Sequence, residues 1–279
     1  MDEKVRCEAT TYIYIHQHCP DVPIPMLLGF GASTEIYAKY KKFTPLENAS
    51  FLYRLCRSFA NRLCTFARFP LASSFARDCR TLSLCVGYLV LEYIERGQML
   101  SETFDSQIYD PSRRRNLFKD LSGIIVSLAK IPQPRIGSFT IEDQGYISLS
   151  NRPLTFQLQA LENEGIPTGI NPLRTNEYTE SYVLDLLAYH DSRLLHQPNS
   201  MNDEKDGRRQ MSAVGLMRST MPQFINPKTT RGPFFLGLTD LHQSNIFGNE
   251  QWQVESLINL EWACSHHSEM LRPPYWLTG

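Results

Sequence analysis

The chain has 279 residues, and its 28 Lys and Arg nearly cancel 29 Asp and Glu, so no overall field favours nucleic acid or an anionic membrane as the main partner. A 42% hydrophobic content suffices for a sizeable core, and no run approaches the roughly eighteen apolar residues of a membrane helix. The charged opening MDEKVRCEATTYIYI lacks the apolar centre of a secretory signal, which makes the cytoplasm the expected compartment and a small molecule the expected ligand.

Val5, Ala9, Tyr12 and Ile13 recur at helical spacing before Pro20 and Pro23, which predicts a helix over about 3–18. IPMLLGFG follows as a short buried strand closed by Gly29 and Gly31. From Glu47 to Arg68 an apolar stripe of Leu52, Leu55, Cys56, Phe59, Leu63 and Phe66 shares a helix with Arg54, Arg57, Arg62 and Arg68. Packing of this insertion on its own domain is the expectation, with contact at a membrane surface through 47–68 the lesser alternative.

TLSLCVGYLVLEYIERGQML reads as a strand, central or well covered, that stops at Gly97. Helices are expected in SRRRNLFKDLSGIIVSLAKI, EYTESYVLDLLAYHDSRLL and DGRRQMSAVGLMRSTMPQF, the last entered from the polar loop QPNSMNDEKDG. Between the first two, IGSFTIEDQGYISLSNRPL alternates around Asp143, Gln144 and Gly145 and predicts a hairpin. The pattern has no internal repeat and fits one α+β domain, its second half mainly helical.

Seven cysteines without a CxxC pair read as reduced, mostly buried thiols. His266 and His267 adjoin Cys264 without a fourth ligand at zinc-like spacing, and Ser212 and Ser219 have no recognisable catalytic partners. Trp262, Tyr275 and Trp276 are expected to pack the helical half.

One stretch carries chemistry. In LTDLHQSNIF, Asp240 precedes Asn245 by five residues, and SLINLEWA follows as an expected strand. Phosphoryl transfer needs a carboxylate to accept a hydroxyl proton and an Asn with an acidic side chain to hold Mg²⁺ on nucleotide phosphates. Alone, the spacing also suits an ordinary Asx-rich loop.

LTDLHQSNIF, LINLEWA and PPYWLTG, together with EKVRCEATTYIYI, LVLEYIERGQML, IPQPRIGSF and SNRPLT, resemble the fungal branch of the aminoglycoside phosphotransferase (choline-kinase-like) family over nearly the whole chain. The resemblance implies a protein-kinase-like bilobal fold. Residues 1–96 would form a reduced N-lobe with the helical insertion and a hinge strand, and 97–279 a helical C-lobe carrying the catalytic-like loop 238–247. It makes Asp240 the base, His242 a support of the loop, Asn245 a Mg²⁺ ligand, and Glu92, Tyr93 and Ile94 the hinge that holds adenine of ATP. Glu8 would be the helix glutamate that pairs with a strand lysine.

Two departures bear on activity. The chain begins almost at the Glu8 helix, so the phosphate-covering loop and the lysine strand are expected to be missing; Lys4, one turn from Glu8, reads as a surface i to i+4 partner. The family's metal-binding aspartate corresponds to Asn259, whose amide is a weaker Mg²⁺ ligand than a carboxylate. On the expected strand Glu261 shares a face with Asn259 and offers a replacement carboxylate, although a structural glutamate is the plainer reading. The chain is also expected to lack closing helices after PPYWLTG. Two functions follow: ATP- and Mg²⁺-dependent transfer to a small-molecule hydroxyl, or a catalytically impaired, pseudokinase-like binding or scaffold protein.

Overall fold

The computed structural model describes residues 2–32, 41–67, 71–78 and 86–277, with the backbone alone at 2, 32, 41, 62–67, 71 and 78. The strand expected at 81–85 and the side chains of Leu63, Phe66, Cys64, Cys79 and Cys85 fall outside this set.

The first helix, α1 (Asp2–His18), is buried almost all round from Ala9 to Ile15, far beyond the single stripe its spacing suggests. Thr10 and Thr11 are tolerated there because their hydroxyls donate to the carbonyls of Arg6 and Cys7 one turn back. After β1 (Leu27–Ala32) come β2 (Lys41–Pro45), α2 (Phe51–Ala67), β3 (Leu71–Ala72), β4 (Phe75–Asp78) and β5 (Tyr88–Leu91). The antiparallel sheet runs β4-β2-β1-β5, so β5 lies at an edge rather than at the centre, and Val90 is half exposed.

Next follow β6 (Gln98–Met99), α3 (Phe104–Gln107) and α4 (Pro111–Ala129), whose start is set by Pro111 and by Asp110, which accepts from the amides of Ser112 and Arg113. The expected hairpin forms as β7 (Ser138–Ile141) and β8 (Tyr146–Asn151), with Gly145 at φ +81° in its turn. Helices α5 (Phe156–Asn163), α6 (Thr179–His196) and α7 (Glu204–Phe224) precede the strands β9 (Phe234–Leu238), β10 (Ile246–Gly248), β11 (Val254–Leu257) and β12 (Ala263–His267). The fold is thus α+β with small antiparallel sheets, and the main core gathers α1, α4 and the strand faces around Phe30, Phe43, Leu121, Phe139 and Leu236.

The described part of the apolar face of α2 does not pack on the domain. Phe51, Leu52, Leu55 and Phe59 are 74%, 72%, 59% and 69% exposed, whereas Arg57 points inward. The reason is local: the β7–β8 turn presents two carbonyls, and Arg57 donates to Gln144 and Gly145 while its guanidinium lies 4.0 Å over the Tyr146 ring. Trp262 and Trp276 are buried as expected, but Tyr275 is exposed.

Removing the inward arginine should therefore hurt more than removing an outward phenylalanine. Arg57→Ala is expected to cost about 2 kcal/mol in urea denaturation, because it removes two charge-assisted hydrogen bonds and the contact with the Tyr146 ring. Phe59→Ser should stay within about 0.5 kcal/mol, because the ring it removes is mostly exposed. The reverse order of costs would contradict the helix orientation.

Candidate functional site

Four strand ends create the site. β9 pairs with β12 from Leu238 opposite Ala263 to Phe234 opposite His267, and β10 pairs with β11 from Ile246 opposite Leu257. Asp240 thus leaves β9, Asn245 enters β10, Asn259 leaves β11, and Glu261 enters β12. The Thr239 hydroxyl donates to the Trp262 carbonyl at 2.6 Å, prolonging the β9–β12 ladder by one side chain.

The loop is held from within. His242 caps the short turn Gln243–Asn245, its Nδ1 accepting from the Ser244 amide. Asn245 is buried and donates through Nδ2 to the Asp240 carbonyl at 2.9 Å and to the Asp240 carboxylate at 3.5 Å. Its Oδ1 accepts from Nδ2 of Asn259 at 3.4 Å, while the Ile258 amide donates to its backbone carbonyl. Asp240, Asn245 and Asn259 are therefore brought together.

Asn259 is not on a strand. β11 ends at Leu257, and Asn259 has φ +60°, a left-handed conformation that Asn adopts more readily than most residues. The two-residue alternation that would put Glu261 on the same face is lost, and Glu261 instead meets Lys4, Nζ to Oε2 at 2.5 Å. Lys4 is thus more than an i to i+4 neighbour of Glu8: its charge still favours the Glu8 carboxylate, but its ion pair spans from α1 to the loop and it lies 5.2 Å over the Trp262 ring.

Helix α1 reads this loop in antiparallel order. Lys4 takes Glu261, Glu8 accepts from the Leu260 amide, and the Tyr12 hydroxyl is buried beside the Asn259 backbone. The spacing 4, 8, 12 is one helix face, a signal present in the sequence but readable only once its target is known. Burial pushes the Glu8 carboxyl up to about 7, and the Glu261 charge adds to this against Lys4 and the Leu260 amide.

The expected hinge has other partners. The Glu92 amide donates to the Met26 carbonyl, the Glu92 carboxylate accepts from the Met26 amide, and Tyr93 is 83% exposed. Ile94 is half-buried. Among the described residues no hydrogen bond joins Glu92, Tyr93 or Ile94 to Asp240, Asn245 or Asn259.

Two spaces flank Asp240. Where residues 238–241 face 258–263, the crevice holds about 10 Å³, scarcely one water. On the other side lies a cavity of about 380 Å³ between α4, β9 and residues 270–275, with Asp240, His242 and His266 in its wall. Sequence reasoning missed this cavity, since its walls come from three distant segments. His266 is buried with Cys264, Nε2 to Sγ at 3.0 Å; burial holds the imidazole down to about 4 and pushes the thiol up to about 12. Both are neutral at physiological pH.

Among the described residues no group of three or more His, Cys, Asp or Glu side chains converges as a metal site. No helix is long and apolar enough to cross a membrane, the search covering the described residues. No protein-family model, curated protein or solved structure matches the chain.

Because the folded-state pKa of Glu8 is raised above its ordinary 4.5, its stabilising contribution is complete below that pH and is lost as pH rises towards about 7. The loss amounts to about 3 kcal/mol. Glu8→Gln should therefore melt above wild type at pH 8, with the difference vanishing near pH 4.5. Equal melting temperatures at pH 8 would show that Glu8 ionises freely.

Proposed function

We propose that this chain is an aminoglycoside-phosphotransferase-like protein of kinase-like bilobal fold in which phosphoryl transfer is impaired, and that it acts by binding a small molecule beside the Asp240 loop. The observation that carries this reading is the direct hydrogen bond between Asn245 and Asn259. The two side chains at the positions the resemblance assigns to Mg²⁺ are amides joined by one bond, Asn259 Nδ2 to Asn245 Oδ1, and neither is an anion. Mg²⁺ favours hard, charged oxygens in near-octahedral array. Glu261, the one candidate replacement, is neutralised by Lys4. Asp240 alone remains, and this donor set does not fit the ion that ATP chemistry requires.

The phosphoryl-transfer reading has one observation in its favour. Asp240 is half-buried at the wall of the large cavity, where a carboxylate would reach the hydroxyl of a bound acceptor. In that reading His242 positions the loop and the base is Asp240. The adenine site at Glu92, Tyr93 and Ile94 rests on the resemblance alone.

Thermal melting with ATP, with and without Mg²⁺, separates the two. A ligand at a hundredfold its dissociation constant adds about 2.7 kcal/mol to the folded state. Wild type is expected to show no Mg²⁺-dependent rise. Asn259→Asp, which restores a carboxylate and tolerates the left-handed backbone, is expected to produce one. A Mg²⁺-dependent rise in wild type that Asn245→Ala abolishes would overturn the impaired reading in favour of phosphoryl transfer.

A further inference from the structure

The cavity beside Asp240 restricts what the chain binds. Its volume of about 380 Å³ lies in the range that encloses most of a small organic ligand. Its body is aliphatic: Ile124, Ile125 and Leu128 of α4 face Leu236 and Leu238 of β9, with Met270 and Leu271 beyond. The polar groups gather at the loop, where Thr239, Asp240 and His242 contribute.

Charge narrows the class further. Among the described lining residues the only carboxylate is Asp240 and the only permanent cation is Arg272, so these walls offer no net negative field. His266 in the wall is neutral at physiological pH because burial disfavours its charged form. A polycation would enter an apolar chamber with one carboxylate to receive it and an arginine at its margin, leaving most of its charge desolvated and unpaired. An ionised carboxylate accepts hydrogen bonds and donates none, so the ligand group it suits is a donor such as a hydroxyl.

We propose that this cavity binds an uncharged, largely apolar alcohol or phenol, its body between α4 and β9 and its hydroxyl directed to Asp240. A polycationic amino sugar is excluded as its occupant. The location of the hydroxyl rests on the proposed role of the Asp240 loop, whereas the apolar character of the occupant rests on the walls alone.

The test is a fluorescence titration of the full chain with 2-naphthol, with kanamycin as the polycationic comparison. Saturable naphthol binding is expected, with kanamycin neither binding more tightly nor displacing it. Ile125→Trp, which fills the cavity from a half-buried position, should weaken binding at least about tenfold. Should that variant lose its circular dichroism signature, Tyr275→Ala at the exposed rim decides, with a several-fold loss expected. Absence of saturable binding, affinity unchanged in the folded variant, or displacement by kanamycin would overturn the proposal. The ATP melting experiment is read separately: a change there alters the reading of the phosphoryl site and leaves this result standing.

Discussion

One face of α1 holds the site together. Lys4, Glu8 and Tyr12, each one turn from the next, meet Glu261, the Leu260 amide and the Asn259 backbone in antiparallel order. Because α1 is buried almost all round from Ala9 to Ile15, it gives the loop little freedom to move without disturbing the main core. The loop in turn fixes Asn259 against Asn245, and Asn245 against Asp240. A chain of contacts thus links the first helix to the residue with the best claim to chemistry.

The same contacts leave the loop with little unpaired anionic oxygen. The Glu261 carboxylate is paired with Lys4, the Asn259 Nδ2 donates to the Asn245 oxygen, and burial raises the Glu8 carboxyl to about 7. Charge pairing at Glu261 and burial at Glu8 each lower the negative charge near the loop, and the Asn245–Asn259 bond joins two side chains that carry none. The crevice on that side accommodates scarcely a water, while the roomy space lies on the α4 side of the loop.

Arg57 gives a second instance of a polar group deciding orientation. A hydrophobic stripe would ordinarily turn inward, but two carbonyls of the β7–β8 turn and the Tyr146 ring offer Arg57 partners at the contact face. The apolar side of α2 is left outward in consequence, with Phe51 and Phe59 mostly exposed. Periodicity shows that a helix has two faces, and the partners across the contact decide which one is buried.

What the sequence by itself determined were the locally encoded parts. These include helices α1, α4, α6 and α7, the β7–β8 hairpin with its glycine at positive φ, and the grouping of Asp240, His242 and Asn245 on one short loop. Spacing, capping residues and turn chemistry act over a few residues, so they are visible in one dimension. Only the tertiary structure decided that Asn259 leaves its strand, that Lys4 crosses to Glu261, that β5 lies at a sheet edge, and that residues near 125, 238 and 271 enclose a cavity. Each of those outcomes depends on partners far away in the chain, and burial and charge pairing are settled only when those partners arrive.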